Sequence, residues 1–247
     1  MNKMVRTMTS TQAYKNFKAI DEHDMKRLLC TRCSHPTTTC YCHTLQSVTN
    51  DWPVLILQHP NEAKHALGTA RIAALSLTNC QLFTATAPEN SPTLLAQLTV
   101  NDTLVVYPSA DAIELSELLA KQPIAPLNHL QPTTTPSPYY QLLFLDGTWR
   151  KTRRMLYESP LLQQLPKLTF TPNQTQLSRY RIRKAPSVNY LSTVESIALV
   201  LERLEKNVNK YQGLLSTQAW MVEKQISAMG PATYGKNYTA QNEAGSE

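Results

Sequence analysis

Glycine is scarce in this chain, six residues in 247. Neither G-x-G-x-x-G nor G-x-x-x-x-G-K-[ST] occurs, so no glycine-rich loop is available to cradle a nucleotide-like ligand. That counts against Rossmann dehydrogenases, Rossmann methyltransferases and P-loop NTPases. Long apolar runs are missing too: nothing is long enough to span a bilayer, and residues 1–20 lack the apolar core of a signal peptide. A soluble cytoplasmic protein with no membrane partner is expected. Acidic residues are outnumbered, 18 against 24 Lys and Arg, for a net charge of +6 and a pI near 9.0. An acidic partner, nucleic acid foremost, suits that balance, although many proteins without a polyanionic ligand are as basic. Long charge runs and internal repeats are absent, and 42% of the residues are apolar, as in a globular domain that can bury a core.

Cysteine is also sparse, yet four of the five lie within thirteen residues as Cys30-x2-Cys33-x6-Cys40-x-Cys42. Thiolates so spaced can converge on one tetrahedral metal, and a closed four-cysteine zinc site is a common structural one. Two disulfides are the alternative, but nothing marks the chain as secreted, which favours metal. An iron–sulfur cluster or unliganded thiols also fit the spacing. His35 and His43 lie close enough to replace a thiolate or to be ordinary loop residues. Cys80 reads as a small core residue.

Beyond the cysteines, apolar strand-like runs alternate with helical patterns, which predicts an α/β fold with a mostly parallel sheet flanked by helices. Strands are expected at Val54–Gln58, Gln81–Thr86, Thr103–Tyr107, Gln141–Leu145 and Leu168–Thr171. Helices are expected at Glu62–Leu77, around Thr93–Leu98, and at Asp111–Lys121, Thr148–Tyr157, Thr193–Asn209 and Leu214–Met229. Residues 122–138 carry five prolines and read as a linker. The division that follows is residues 1–50 as an N-terminal segment with a small zinc-binding module, 51–235 as the catalytic domain, and 236–247 as a flexible polar tail.

Polar residues gather just past the expected strand ends, where open α/β sheets bind ligands. Gln58-His59-Pro60-Asn61-Glu62 follows the first strand, and Tyr107-Pro108-Ser109 the third. Asp146-Gly147-Thr148-Trp149 joins an apolar strand to a basic helix carrying Arg150, Lys151, Arg153 and Arg154. Each stretch is also readable as a plain helix cap. Ser192 with Glu195 makes a capping box within Leu191-Ser192-Thr193-Val194-Glu195. Upstream, Arg179, Arg181, Arg183 and Lys184 alternate with Tyr180 and Ile182, a pattern suited to phosphate contact and base stacking, or to a solvated face.

In this order the motifs resemble the DTW-domain family of tRNA-uridine aminocarboxypropyltransferases. The resemblance runs from Cys30 to about Gln225. It rests on the Cys-x2-Cys and Cys-x-Cys pairs, His59-Pro60-Asn61-Glu62, Tyr107-Pro108, Asp146-Gly147-Thr148-Trp149 and Leu191-Ser192-Thr193-Val194-Glu195. It implies a bacterial-type, SPOUT-like fold with a C-terminal trefoil knot, a feature no patterning argument would reach. It further implies transfer of the 3-amino-3-carboxypropyl group of S-adenosylmethionine to N3 of a uridine in the tRNA variable loop, releasing methylthioadenosine.

On this reading tRNA is the partner, Asp146, Thr148, Trp149, His59 and Glu62 are catalytic, and Tyr107, Pro108, Leu191, Ser192, Thr193 and Glu195 bind the cofactor. The two basic clusters contact RNA, and Cys30, Cys33, Cys40 and Cys42 hold structural zinc. Asp146 is the candidate base for the N3 proton, or a group that orients uracil. Trp149 either stacks on a base or faces the sulfonium, or else anchors its helix. A SPOUT RNA methyltransferase and a non-enzymatic zinc-bearing RNA-binding module are the rival readings, and monomer and homodimer both stay open.

Overall fold

The computed structural model describes residues 28–65, 67–98, 102–121, 125–126, 139–172, 180, 182 and 191–239. In chain order the principal elements are β1 (Val54–Gln58), α1 (Ala70–Ser76), β2 (Cys80–Thr84), β3 (Thr103–Val106), β4 (Ile113–Glu114) and α2 (Leu115–Lys121). Then come β5 (Ala125–Pro126), β6 (Tyr139–Asp146), α3 (Trp149–Glu158), β7 (Lys167–Thr169), α4 (Thr193–Leu204) and α5 (Gln212–Met229). Every strand pairing among the described residues is parallel, in the order β2-β1-β6-β3-β7-β4, with β5 beside the start of β6.

A parallel sheet covered on both faces needs strands that are apolar throughout, and β1 is buried at all five positions. Because side chains alternate, Val54 and Ile56 join Leu104, Leu142 and Phe144 on one face. Leu55 and Leu57 join Val105, Leu143, Met155 and Leu162 on the other. Helices α1, α4 and α5 cover the first face, and α3 with the short helix Pro160–Gln164 covers the second. The cysteine loop belongs to the first face, where Cys33 and Tyr41 share that core. Thr44 and Thr217 hydrogen-bond across to α5 at 3.2 Å.

Several boundaries differ from the sequence expectation. The helix expected from Glu62 starts only at Ala70, because Pro60–Glu62 forms a 3-10 turn and the Gly68 N–H donates to the His65 carbonyl, turning the chain before Thr69. The helix expected from Asp111 gives up Ile113–Glu114 to pairing with Leu168–Thr169. From residue 236, expected as a loose tail, the chain stays helical as far as Thr239. Tyr238 stacks on Tyr234 there, with ring centroids 5.7 Å apart, and residues 240–247 lie outside the described residues. No helix among the described residues is long and apolar enough to cross a membrane.

Candidate active site

Strand β6 lies in the middle of the sheet and delivers Asp146 to its carboxyl edge, in register with Gln58 at the end of β1. The Asp146 carboxylate is buried. Its Oδ2 accepts from Gln58 Nε2 at 2.8 Å and its Oδ1 from Thr193 Oγ1 at 2.6 Å. Its carbonyl accepts from the His59 N–H. Asp146 is therefore the point at which β1, β6 and the start of α4 are joined.

Gly147 follows at a close approach. A Cβ there would stand 3.3 Å from Lys151 Cβ and Thr152 Cγ2, so anything larger presses on the first turn of α3. Thr148 caps that helix, its hydroxyl accepting from the Lys151 N–H. Trp149 is partly exposed and tilts against Tyr107, with ring centroids 6.5 Å apart.

These residues wall a cavity of about 980 Å³, near the upper end of ordinary small-ligand sites. Tyr107 and Pro108, Gly147 to Thr152, Leu191 to Thr193, and Glu62 line it. Asn237 and Tyr238 line it too, though no sequence signal pointed to them. Asp146, His59 and Glu195 do not line it, and Asp146 sits one residue behind the wall.

Glu62 is buried and pairs with Lys151 Nζ at 2.6 Å. His59 caps the 3-10 turn through Nδ1, which accepts from the Asn61 N–H at 3.2 Å. Desolvation chiefly, and then the Lys151 charge, hold its imidazole below the usual histidine range. The capping box is formed, with the Ser192 N–H donating to Glu195 Oε2 at 2.7 Å and the Glu195 N–H to Ser192 Oγ at 3.4 Å. Gln218 Nε2 adds a bond to the same hydroxyl at 2.9 Å.

The two basic clusters fare differently. Within the first, Arg150 lines the cavity, Lys151 is engaged by Glu62, Arg154 pairs with Glu158 on its own helix, and Arg153 is exposed. In the second, Arg179, Arg181, Arg183 and Lys184 lie outside the described residues. Tyr180, read as a stacking residue on a basic segment, is buried in the wall of the large cavity, its hydroxyl donating to the Leu67 carbonyl.

The four cysteine sulfurs lie within 4.8 Å of one another, and the Cys30–Cys42 and Cys33–Cys40 pairs are 3.7 Å apart. Sulfurs ligating one tetrahedral zinc at about 2.3 Å stand roughly 3.8 Å apart, so the donor set fits the ion. Backbone N–H groups of Cys33 and Arg32 draw the Cys30 thiol down to about 6, while burial pushes Cys33 and Cys42 up. A divalent cation is what would let these two thiols ionise. His35 packs edge-on against Tyr41 and His43 against Trp220, and among the described residues the candidate ligand set is the four cysteines.

A parallel α/β sheet with a ligand-sized cavity at its carboxyl edge and a buried carboxylate behind the cavity wall defines an enzyme-like class. Within that class the DTW domain model matches residues 27–226, and the chain belongs to that family. It is 30% identical over 196 residues to a tRNA-uridine aminocarboxypropyltransferase 2 of Macaca fascicularis, covering 74% of this chain but only 58% of that protein. The Mus musculus protein of the same name is 28% identical over 90% of this chain and 71% of its own length. That of Drosophila melanogaster is 27% identical over 88% and 82%. No solved structure matches.

Proposed function

We propose that this protein transfers the 3-amino-3-carboxypropyl group of S-adenosylmethionine to N3 of a uridine in the tRNA variable loop. The observation that carries the reading is the wall of the large cavity, which brings Tyr107, Thr148, Trp149 and Thr193 together over the Asp146 carboxylate. Membership of the DTW family and the names of its relatives supply the reaction class.

S-adenosylmethionine supplies, when bound, a carbon already activated by its sulfonium, so the protein's tasks are alignment and removal of the N3 proton. Thr193 donates its own hydrogen to Asp146, which leaves its oxygen lone pairs for the cavity side. In our reading Thr193 Oγ1 takes the proton from uridine N3 as its own passes to Asp146 Oδ1, so Asp146 acts as base through one hydroxyl. Ser192 Oγ already accepts twice and so has its own hydrogen to offer a carboxylate, beside the N-terminus of a twelve-residue helix. Tyr107 and Trp149 offer ring faces to uracil, to adenine or to the sulfonium. Arg150 and Arg153, with the basic residues at 179–184, are the phosphate contacts of this reading. Zinc held by the four cysteines is structural, and the knotted SPOUT-like C-terminal part belongs to the same proposal.

Nucleoside mass spectrometry of tRNA incubated with the protein and S-adenosylmethionine tests it. Aminocarboxypropyluridine with methylthioadenosine as by-product is expected. S-adenosylhomocysteine would mean methyl transfer instead, and tRNA binding without any cofactor binding would mean a non-enzymatic module.

A further inference from the structure

Among the described residues, three buried polar atoms beside the site have no hydrogen-bond partner: Tyr41 Oη and His35 Nδ1, both of the cysteine loop, and Gln58 Oε1 on β1. Their side chains are at least 96% shielded, with relative exposures of 0%, 4% and 2%. All three line one small cavity of about 10 Å³, which shares Glu62 and His65 with the wall of the large one. That is close to the least space a single water occupies, and a buried water wants two to four polar neighbours. Leaving three such groups unpaired is costly, so the site is built for an occupant of that size.

We infer that one buried water, held by Tyr41 Oη, His35 Nδ1 and Gln58 Oε1, ties the cysteine loop to the Asp146 carboxylate. The donors and acceptors balance. The tyrosine hydroxyl donates to the water, and the water donates to the imidazole nitrogen and to the amide oxygen. With its oxygen so fixed, Gln58 presents Nε2 to Asp146 Oδ2, the 2.8 Å bond already described. Gln58 is thus a positioning residue for Asp146, and Tyr41 and His35 position Gln58 in turn. The cysteine loop, on this account, sets the direction of the carboxylate as well as stapling the fold. This role rests on the reading of Asp146 given above, whereas the water site itself does not.

Two measurements test it. A high-resolution crystal structure of the full chain is expected to have a solvent peak about 3 Å from all three atoms, and its absence would overturn the site. Tyr41→Phe keeps the ring against His35 but removes the donor. It is expected to lower kcat about tenfold, leaving KM for tRNA and S-adenosylmethionine and the bound zinc unchanged. Adding it to Gln58→Ala is expected to cost nothing further, in kcat and equally in thermal unfolding, since both act through one water. Additive losses, or an unchanged kcat in Tyr41→Phe, would overturn the positioning role. A wild-type chain inactive on tRNA that still has the solvent peak and a non-additive unfolding cycle would refute the proposed function while supporting the water.

Discussion

Thr193 and Asp146, 47 positions apart in sequence, are joined by a hydrogen bond of 2.6 Å that fastens the start of α4 to the end of β6. Removing the hydroxyl while keeping the shape leaves a buried carboxylate oxygen short of a donor. Thr193→Val is expected to lose about 1–3 kcal/mol of stability, read by denaturant unfolding. It should also lower kcat about a hundredfold if the hydroxyl carries the N3 proton. Thr193→Ser should stay near wild type in both.

The Glu62–Lys151 pair links the 3-10 turn after β1 to the first turn of α3, and its glutamate is almost wholly buried. Lys151→Met would take the cation away from that buried carboxylate, at a cost of about 3 kcal/mol. Glu62→Gln added to Lys151→Met should recover most of the loss. A double-mutant cycle by thermal unfolding reads the difference, and an additive result would mean that the pair contributes nothing specific.

His59 sets a pH dependence. Its folded-state pKa is lowered, by desolvation first and Lys151 second, with Glu62 opposing and Arg154 adding slightly. The unfolded chain therefore takes the proton more readily, so this contribution to stability is whole above the ordinary pKa of 6.5 and falls away below it. Melting temperature should drop from about pH 6.5 downward in the wild type. His59→Asn, which keeps a capping acceptor, should flatten that fall.

Metal analysis of the purified chain is expected to find one zinc per molecule, lost in Cys33→Ser. Because Cys33 and Tyr41 belong to the main core, chelation should lower the melting temperature of the whole domain instead of loosening an isolated loop.

Arg150 faces the cavity while Arg154 is held by Glu158. In filter binding at several salt concentrations, Arg150→Ala should weaken tRNA affinity and reduce the salt slope by about 1. Arg154→Ala should change it little.

How far the sequence revealed these features depended on the range of each interaction. Strand β1 was legible because it is apolar throughout, and the Ser192–Glu195 box because it spans only three residues. Asp146 could be put at a strand end from the run before it. Its partners could not, since Gln58 and Thr193 reach it only through β1–β6 pairing and the docking of α4. Alanine spacing hid the turn at Gly68 and lengthened α1, and a two-residue strand such as β4 is too short for any period. The burial of Tyr180 was not legible, because alternation with arginines looks the same whether the aromatic stands in solvent or in a cavity wall.

The strand order also governs when the site can exist. Strands β1 and β3 do not touch each other; each pairs with β6, which comes last of the three in the chain. Until residue 146 has left the ribosome, both inner edges are bare, exposing unpaired backbone that can seize a neighbouring nascent chain. Insertion of β6 ends that exposure and in the same event sets Asp146 beside Gln58. Joining the two halves of the sheet and seating Asp146 are thus one folding step, and the rest of the site, Thr193 and the cavity wall at 168–172 and 237–238, can assemble only after it.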